Sequence, residues 1–372
     1  MSKKKKIILS VTNDLVSDQR VHKISTSLME MGFQVSVVGR LRPWSASLDR
    51  EYKTHRMKLF FSKKMWFYAE YNFRLFLFLL FNKFDVYVAN DLDTLLPNYL
   101  VSKLKRKTLV YDSHEYFTEV PELISRPRIR NIWMKIEKFI FPKLKMVYTV
   151  NNSIAEIYNQ KYGVDVQVIR NIAPSLKNKT VDLAFAEKIK AGNKMLIMQG
   201  AGINIDRGAE EVVEAMQFVE NTILYIIGSG DVFANLRTLV RKFNLKNKVF
   251  LLDKIPYEQL MEYTKIADLG LSLDKGTNPN YENALPNKVF DYIQAQIPLL
   301  VSDRKVVSAL VIDNNIGAVV KNVTPRSLAN KIDEVLVNEK QLINWKKNLN
   351  IASEKYSWEY ESVILKKMYS RV

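Results

Sequence analysis

Short apolar runs alternate with longer amphipathic stretches along the whole chain. The first run, Lys6–Val11, is strand-like; a helical stretch continues through Val21–Met31, Gly32 caps it, and a second strand follows at Gln34–Val38. Similar runs recur at Asp85–Ala89, Thr108–Tyr111, Met146–Val150 and Val166–Ile169, with helical stretches between them. Strand alternating with helix predicts a parallel, doubly wound sheet. The pattern breaks at Asn171–Pro174, and a polar stretch extends through Asn193. It then restarts with strands Lys194–Met198, Ile223–Ile227, Val249–Leu252, Leu269–Leu273 and Pro298–Val301. The helices expected among them are Ala209–Phe218, a basic helix after Gly230, Tyr257–Ile266 and Asn287–Ala295. This predicts two Rossmann-like α/β domains, residues 1–170 and 194–355, joined by a linker over 171–193. Val363, Ile364 and Met368 make Trp358–Tyr369 a terminal amphipathic helix.

Composition narrows the chemistry. The 372 residues suffice for two domains with separate cores, and 11% aromatics set the chain apart from disordered sequences. Without cysteine there is no disulfide scaffold, thiol nucleophile, iron–sulfur cluster or cysteine-based zinc site. The three histidines, His22, His55 and His114, are not at metal-ligand spacing, which argues against a zinc hydrolase. The net charge of +17 implies an anionic partner. It is uneven: residues 1–170 carry 29 Lys+Arg against 16 Asp+Glu, and residues 171–372 carry 27 against 23. The apolar run Ile7–Val11 is too short for a secretory signal, and the unbroken apolar core Leu75–Phe81 is too short to span a bilayer. The expectation is a cytoplasmic protein, with peripheral attachment to the inner face of the cell membrane left open.

In doubly wound sheets, ligands bind where strands end and loops lead into helices. Gln199–Gly208 is such a loop, with Gly200, Gly202, Gly208 and a cation at Arg207. It fits either a phosphate cradle or a tight turn, but is neither GxGxxG nor a P-loop. Asn280–Tyr292 brings a polar loop through Ala284, Leu285 and Pro286 into a helix with Asn287, Lys288 and Asp291 in its first turns. That suits phosphates at the amides and ribose hydroxyls at the carboxylate, or simply a capped helix. Asp91-Leu92-Asp93 fits a divalent-metal site or a helix start. His114, after strand Thr108–Tyr111, fits an acid–base, hydrogen-bonding or structural role, and Ser113 is not in a GxSxG elbow. The aromatic stretch Leu59–Phe84, with Lys63, Lys64 and Arg74, reads as a membrane-interface segment or as a helix packed on the sheet.

Together these residues resemble the family-4 retaining glycosyltransferases of the GT-B fold, particularly bacterial polysaccharide and lipopolysaccharide enzymes, over nearly the whole chain. The matching segments are Asn13–Val21, Tyr111–Glu115, Val147–Ser153, Arg170-Asn171, Gly200 to Gly208, Gly228–Gly230, Lys254 and Leu285–Asp291. The resemblance implies two Rossmann-like domains facing across a cleft, acceptor-binding first and donor-binding second, with the 356–372 helix returning to the first domain. It also implies metal-independent, cofactor-free transfer of a sugar from a nucleotide-diphosphate donor to a glycan or lipid-linked hydroxyl acceptor in cell-surface polysaccharide or glycolipid synthesis. Arg207 and Lys254 would stabilise the departing diphosphate, helped by the Ala284–Lys288 amides. By the same resemblance Gly228, Ser229, Gly230 and Ile255 border the base, Asp291 the ribose, and His114 the donor sugar or diphosphate. Gly200, Gly202 and Asn283 complete the donor side, with Asn13, Asp18 and Arg20 on the acceptor side. The chain departs from the family pattern where Asn283-x7-Asp291 replaces Glu-x7-Glu, where Asp253 stands for a glycine, and where Asn13-Asp14-Leu15-Val16 replaces a Gly-rich loop.

Two other readings fit the same residues: a nucleotide-sugar epimerase of GT-B-like fold, and a basic nucleic-acid-binding protein. Against nucleic acid, the aromatics sit in apolar runs instead of alternating with Lys and Arg as a stacking platform. The surplus charge of the first half better fits an anionic lipid surface or a lipid-diphosphate acceptor.

Overall fold

The computed structural model describes residues 4–176 and 180–372; Lys177–Lys179, within the expected linker, lie outside them. The chain divides into two compact units, residues 1–171 with 361–372, and residues 172–360.

The first unit runs β1 (Lys6–Asp14), α1 (Gln19–Glu30), β2 (Gln34–Leu41), β3 (Lys53–Lys58), α2 (Lys64–Phe81), β4 (Val86–Asn90) and α3 (Leu92–Lys105). It continues with β5 (Thr108–Ser113), α4 (Pro121–Ile124), α5 (Pro127–Ile140), β6 (Val147–Thr149), α6 (Asn152–Tyr162) and β7 (Val166–Val168). All seven strands are parallel, in the order β3-β2-β1-β4-β5-β6-β7. Ile7, Ile8 and Leu9 are all buried, as in a strand covered on both faces. Helix starts are fixed locally: the Asp18 carboxylate accepts from the Val21 N–H, and Asn151 does the same for Ile154. The strand order reverses between β1 and β4, which makes their carboxyl ends the switch point where ligands of such sheets bind.

The second unit opens with α7 (Leu183–Lys190), β8 (Lys194–Gly200), α8 (Ala209–Ala215), β9 (Thr222–Gly228), α9 (Phe233–Lys242), β10 (Val249–Asp253), α10 (Tyr257–Ile266) and β11 (Leu269–Ser272). Then come α11 (Pro279–Asn283), α12 (Asn287–Gln294), β12 (Leu299–Ser302), α13 (Lys305–Asn314), β13 (Gly317–Val320), α14 (Pro325–Val337) and α15 (Glu339–Lys355), after which α16 (Trp358–Tyr369) follows with most of its length in the first unit. The six parallel strands of the second unit lie in the order β10-β9-β8-β11-β12-β13, so its switch point is β8/β11. Apolar clusters cover both sheet faces.

Every strand expected from the sequence is present, and β3 and β13 are added. The periodicity missed them because β3 is a polar edge strand whose only buried residue is Met57, and β13 is four residues long. Within the expected linker, Asp182 caps α7, and Phe185, Ala186 and Ile189 pack against the second core. Residues 361–372 cluster with the first unit: the buried Glu361 pairs with Arg170 at 2.9 Å, and the Tyr369 and Tyr148 hydroxyls meet at 3.3 Å. No helix among the described residues is long and apolar enough to cross a membrane.

Candidate active site

The residues singled out in the sequence lie at the carboxyl ends of the parallel strands and in the connections that follow them; most flank the two switch points, while Lys254 and Ile255 follow the edge strand β10 and Asn283 ends α11.

In the first unit, Arg20 on α1 is buried and grips Asp112 at the end of β5 through Nε at 2.9 Å and Nη2 at 2.6 Å, while its Nη1 donates to the Ile169 carbonyl at 2.9 Å. Asp112 Oδ2 lies 3.1 Å from His114 Nε2, and His114 Nδ1 lies 3.2 Å from Asp91 Oδ2. The His114 backbone N–H donates to Asp91 Oδ1 at 2.7 Å. Both imidazole nitrogens therefore face carboxylates, which when ionised only accept, so both carry protons and the ring is a cation. Burial by itself would lower the His114 pKa, but Asp91 and Asp112 outweigh it and push it up to about 9. Burial raises Asp91 despite the pull of His114, whereas Arg20 and His114 overcome burial to hold Asp112 low. Asp91 sits at φ +61°, a strained conformation for a non-glycine residue, held by these contacts.

Asp93, in the first turn of α3, accepts from the Thr12 hydroxyl at 2.6 Å, and burial pushes it up to about 7. The two carboxylates of the Asp-x-Asp triplet are thus engaged separately. Asn13 donates to Asp18 at 3.1 Å, so Asn13 and Asp18 organise the β1–α1 turn, and Arg20 works from the interior through Asp112. With both nitrogens of His114 taken, its contribution to a site is charge and the placement of Asp91.

This geometry has a pH signature. A histidine whose folded pKa is raised contributes stability that is complete below its unfolded value near 6.5 and is lost as pH rises through the folded value near 9. The shift corresponds to on the order of 3 kcal/mol. The melting temperature should fall between pH 6.5 and 9 in the native protein and follow a visibly flatter course in His114→Gln. Parallel curves would show that the imidazole is not held as a cation.

In the second unit, the β8–α8 loop carrying Gly200 and Gly202 is laced to the turn Gly228-Ser229-Gly230. Ile203 donates to the Ser229 carbonyl at 2.9 Å, Ser229 N–H to the Gly200 carbonyl at 3.1 Å, and Asp231 N–H to the Asn204 side chain at 3.2 Å. A Cβ on Gly228 would lie 1.8 Å from the Gly200 oxygen, and one on Gly230 would lie 1.8 Å from the Ile203 oxygen. Close approach of two backbones is why glycine stands at both positions.

At the far end of that loop, Arg207 pairs with Asp274 and lies 4.1 Å from the centre of the Tyr281 ring. Lys288, nearly buried in the first turn of α12, has its ammonium 4.0 Å from the same Asp274 carboxylate. Burial and then Arg207 lower the Lys288 pKa against the pull of Asp274. Two cations thus share one buried carboxylate, leaving surplus positive charge beside the glycine loop. Asp274 was not anticipated; the available signal was a carboxylate just beyond strand Leu269–Ser272, at the end of the same sheet.

Asp291, one turn further along α12, accepts from Gln199 Nε2 and from the Tyr257 hydroxyl, both at 2.9 Å. The buried Gln199 in turn accepts from Thr264 at 2.7 Å, so the carboxylate is tied back to β8 and α10. Asn283 donates to the Pro279 carbonyl at 2.7 Å within its own helix. Ala284, Leu285 and Pro286 connect α11 to α12, and Asn287 starts α12. Ile255 is half-buried at the margin of the second core. Lys254 is exposed, with no hydrogen bond or ion pair among the described residues, while its neighbour Asp253 pairs with Arg237 at 3.0 Å.

Residues 18–173 match the model for Glycosyltransferase Family 4, and residues 182–350 match that for Glycosyl transferases group 1. A sequence search of curated proteins found no match. Among solved structures, sucrose-phosphate synthase from Thermosynechococcus elongatus is similar with a TM-score of 0.81 at 16% identity, covering 99% of both chains. The Anabaena protein HepE in complex with UDP-glucose has a TM-score of 0.77 at 13% identity, covering 99% of this chain and 100% of its own. WaaG, a glycosyltransferase involved in lipopolysaccharide biosynthesis, has a TM-score of 0.70 at 15% identity, covering 96% and 99%. At these identities the likeness shows the fold, which is GT-B.

Proposed function

Because the chain belongs to the family-4 glycosyltransferases of GT-B fold, we propose that it moves a sugar from a nucleotide-diphosphate donor to a hydroxyl acceptor with retention at the anomeric carbon. The observation that carries this reading is the Arg207–Asp274–Lys288 cluster beside the laced glycine turns at the β8/β11 switch point. As the bond from the anomeric carbon to the diphosphate oxygen breaks, its electron pair stays on that oxygen. Preorganised cations aimed at the growing charge lower the barrier, and they cost no reorganisation because Asp274 already holds them. Arg207 and Lys288 fill this role with side-chain charge in place of a metal ion. The exposed Lys254 is assigned to the outer edge of the diphosphate.

The acceptor oxygen bonds to the anomeric carbon on the side the diphosphate leaves, and its proton passes to a departing phosphoryl oxygen. No covalent nucleophile is assigned. Asp291, fixed by Gln199 and Tyr257, faces the ribose, and the Gly228–Gly230 turn with Ile255 borders the base. In the first unit, the imidazolium of His114 is assigned to the donor sugar or diphosphate, and Asn13 and Asp18 at the β1–α1 turn to the acceptor side. The acceptor class proposed is a glycan or lipid-linked hydroxyl of cell-surface polysaccharide or glycolipid synthesis. HepE's complex with UDP-glucose supports a nucleotide-sugar donor, and WaaG's role in lipopolysaccharide biosynthesis supports the acceptor class.

The test is a thermal-shift screen of UDP-, GDP- and ADP-linked sugars, followed by product analysis with donor alone. A cognate donor at 100 times its dissociation constant adds about 2.7 kcal/mol to stability. One nucleotide series should raise the melting temperature, and the donor should remain unepimerised. No shift with any of the three, or accumulation of an epimer, would overturn the reading.

A further inference from the structure

Most of α2 is apolar, broken by Lys64, Glu70, Asn72 and Arg74, yet the helix buries only one face. Its inner face, Phe67, Tyr71, Leu75 and Leu79, is buried on the sheet at four-residue spacing. Its outer face and the preceding loop leave Phe60 87%, Trp66 61%, Phe73 65% and Phe81 79% exposed, with Phe61 and Met65 beside them. Exposed apolar surface on this scale marks an interaction site.

The loop is built to present these rings. Glu70 accepts the backbone N–H groups of Phe60 at 3.0 Å and Phe61 at 2.9 Å, which pins the loop onto the helix. Arg74 neutralises Glu70 at 2.8 Å, donates to the Lys58 carbonyl at 3.1 Å and lies 5.0 Å from the centre of the Phe60 ring. The rings of Phe61 and Trp66 sit 6.0 Å apart. The tip is therefore ordered by the fold, and burying its rings costs little further loop entropy.

Charge selects the occupant. Lys58, Lys63, Lys64, Arg74 and Lys83 accompany this face, and Glu70, the one acidic residue among 58–84, is already paired with Arg74. At the carboxyl end of α2, Lys6, Lys53 and Lys83 line a cavity of about 320 Å³ beside Phe78 and Phe84. Aromatic rings flanked by lysines along an 18-residue helix match a bilayer interface with anionic headgroups, where rings enter the acyl boundary and ammoniums stay at headgroup level. We infer that the Phe60–Lys63 loop and the outer face of α2, with Trp66 in its first turn, dock this protein flat onto an anionic membrane surface. The inference is independent of the donor chemistry proposed above.

The experiment is flotation of the full chain with vesicles of phosphatidylcholine alone and of phosphatidylcholine mixed with phosphatidylglycerol, at low and high salt. The native protein should float with the mixed vesicles, weakly with the neutral ones, and less at high salt. The triple variant Phe60→Ser/Phe61→Ser/Trp66→Ser should lose binding at least about tenfold, and so should Lys63→Glu/Lys64→Glu. All five positions are solvent-facing, so each variant should keep the native melting temperature and donor-induced thermal shift. Binding that ignores lipid charge, or survives both variants, would overturn the inference. So would a native dimer in light scattering that the triple variant disperses, since a second copy would then cover the face. Failure of the donor screen with intact vesicle binding would instead remove only the transferase reading.

Discussion

Arg207→Ala is expected to lower kcat for sugar transfer by about 10²–10³-fold, and Lys288→Ala by a similar factor. The expectation rests on where charge appears during the reaction. A diphosphate in the bound donor already carries charge, but the oxygen that leaves the anomeric carbon gains more only as the bond breaks. Groups that bind this added charge act mainly on the transition state, so kcat and kcat/KM should fall together while KM changes little. Asp274 makes the prediction specific. It holds both cations in place before the donor arrives, and its own charge offsets one of them. Asp274→Asn should therefore also lower kcat, while loosening the mutual arrangement of Arg207 and Lys288. Lys254→Ala serves as the contrast, because a solvated, unpaired ammonium contributes little, and its loss should cost only a few-fold. Steady-state rates with the donor found in the thermal screen decide the matter. Near-native kcat in both Arg207→Ala and Lys288→Ala would remove the electrostatic assignment.

Asp112→Ala is expected to destabilise the first unit by about 3–5 kcal/mol, or roughly 10 °C in melting temperature for a unit of this size. Asp112 is fully buried and accepts from both Arg20 and His114. Its removal leaves a buried guanidinium with no carboxylate to pair with, held by the Ile169 carbonyl and the face of the Tyr148 ring, and leaves the imidazolium with Asp91 as its remaining carboxylate. The penalty comes from the uncompensated charge, so the double variant Arg20→Leu/Asp112→Leu should be less damaging than Asp112→Ala. Thermal melts followed with and without the cognate donor nucleotide separate the units, since ligand shifts only the unit that binds it. A single variant within about 1 kcal/mol of native would show that the Arg20–Asp112 pair does not hold this unit together.

Much of the candidate site was legible because glycines, prolines and strand-end cations announce themselves locally. Gly228 and Gly230 stand where two backbones nearly touch, and Arg207 closes a loop between a strand and a helix. Asp274 was not legible, since a carboxylate after a strand means nothing until the cations from two other segments arrive beside it. The same holds for Tyr257 and Gln199, whose hold on Asp291 joins residues 34 and 92 positions away in sequence. His114 was recognised as a strand-end histidine, but its protonation follows from two carboxylates that face it on opposite sides. The aromatic stretch 59–84 had two readings in the sequence, sheet-packed helix or interfacial segment. The fold accommodates both, because α2 buries one face on the sheet and leaves the other open.

The sequence by itself determined the two-unit α/β architecture and the strands around both switch points, because strand and helix periods are properties of neighbouring residues. Tertiary structure alone decided which charges meet. The sharing of Asp274 by Arg207 and Lys288, the burial of Arg20 and the pairing of His114 all depend on side chains from different strands and helices converging at one end of a sheet. Desolvation, which sets the strength of each of those pairings, has no local signal along the chain.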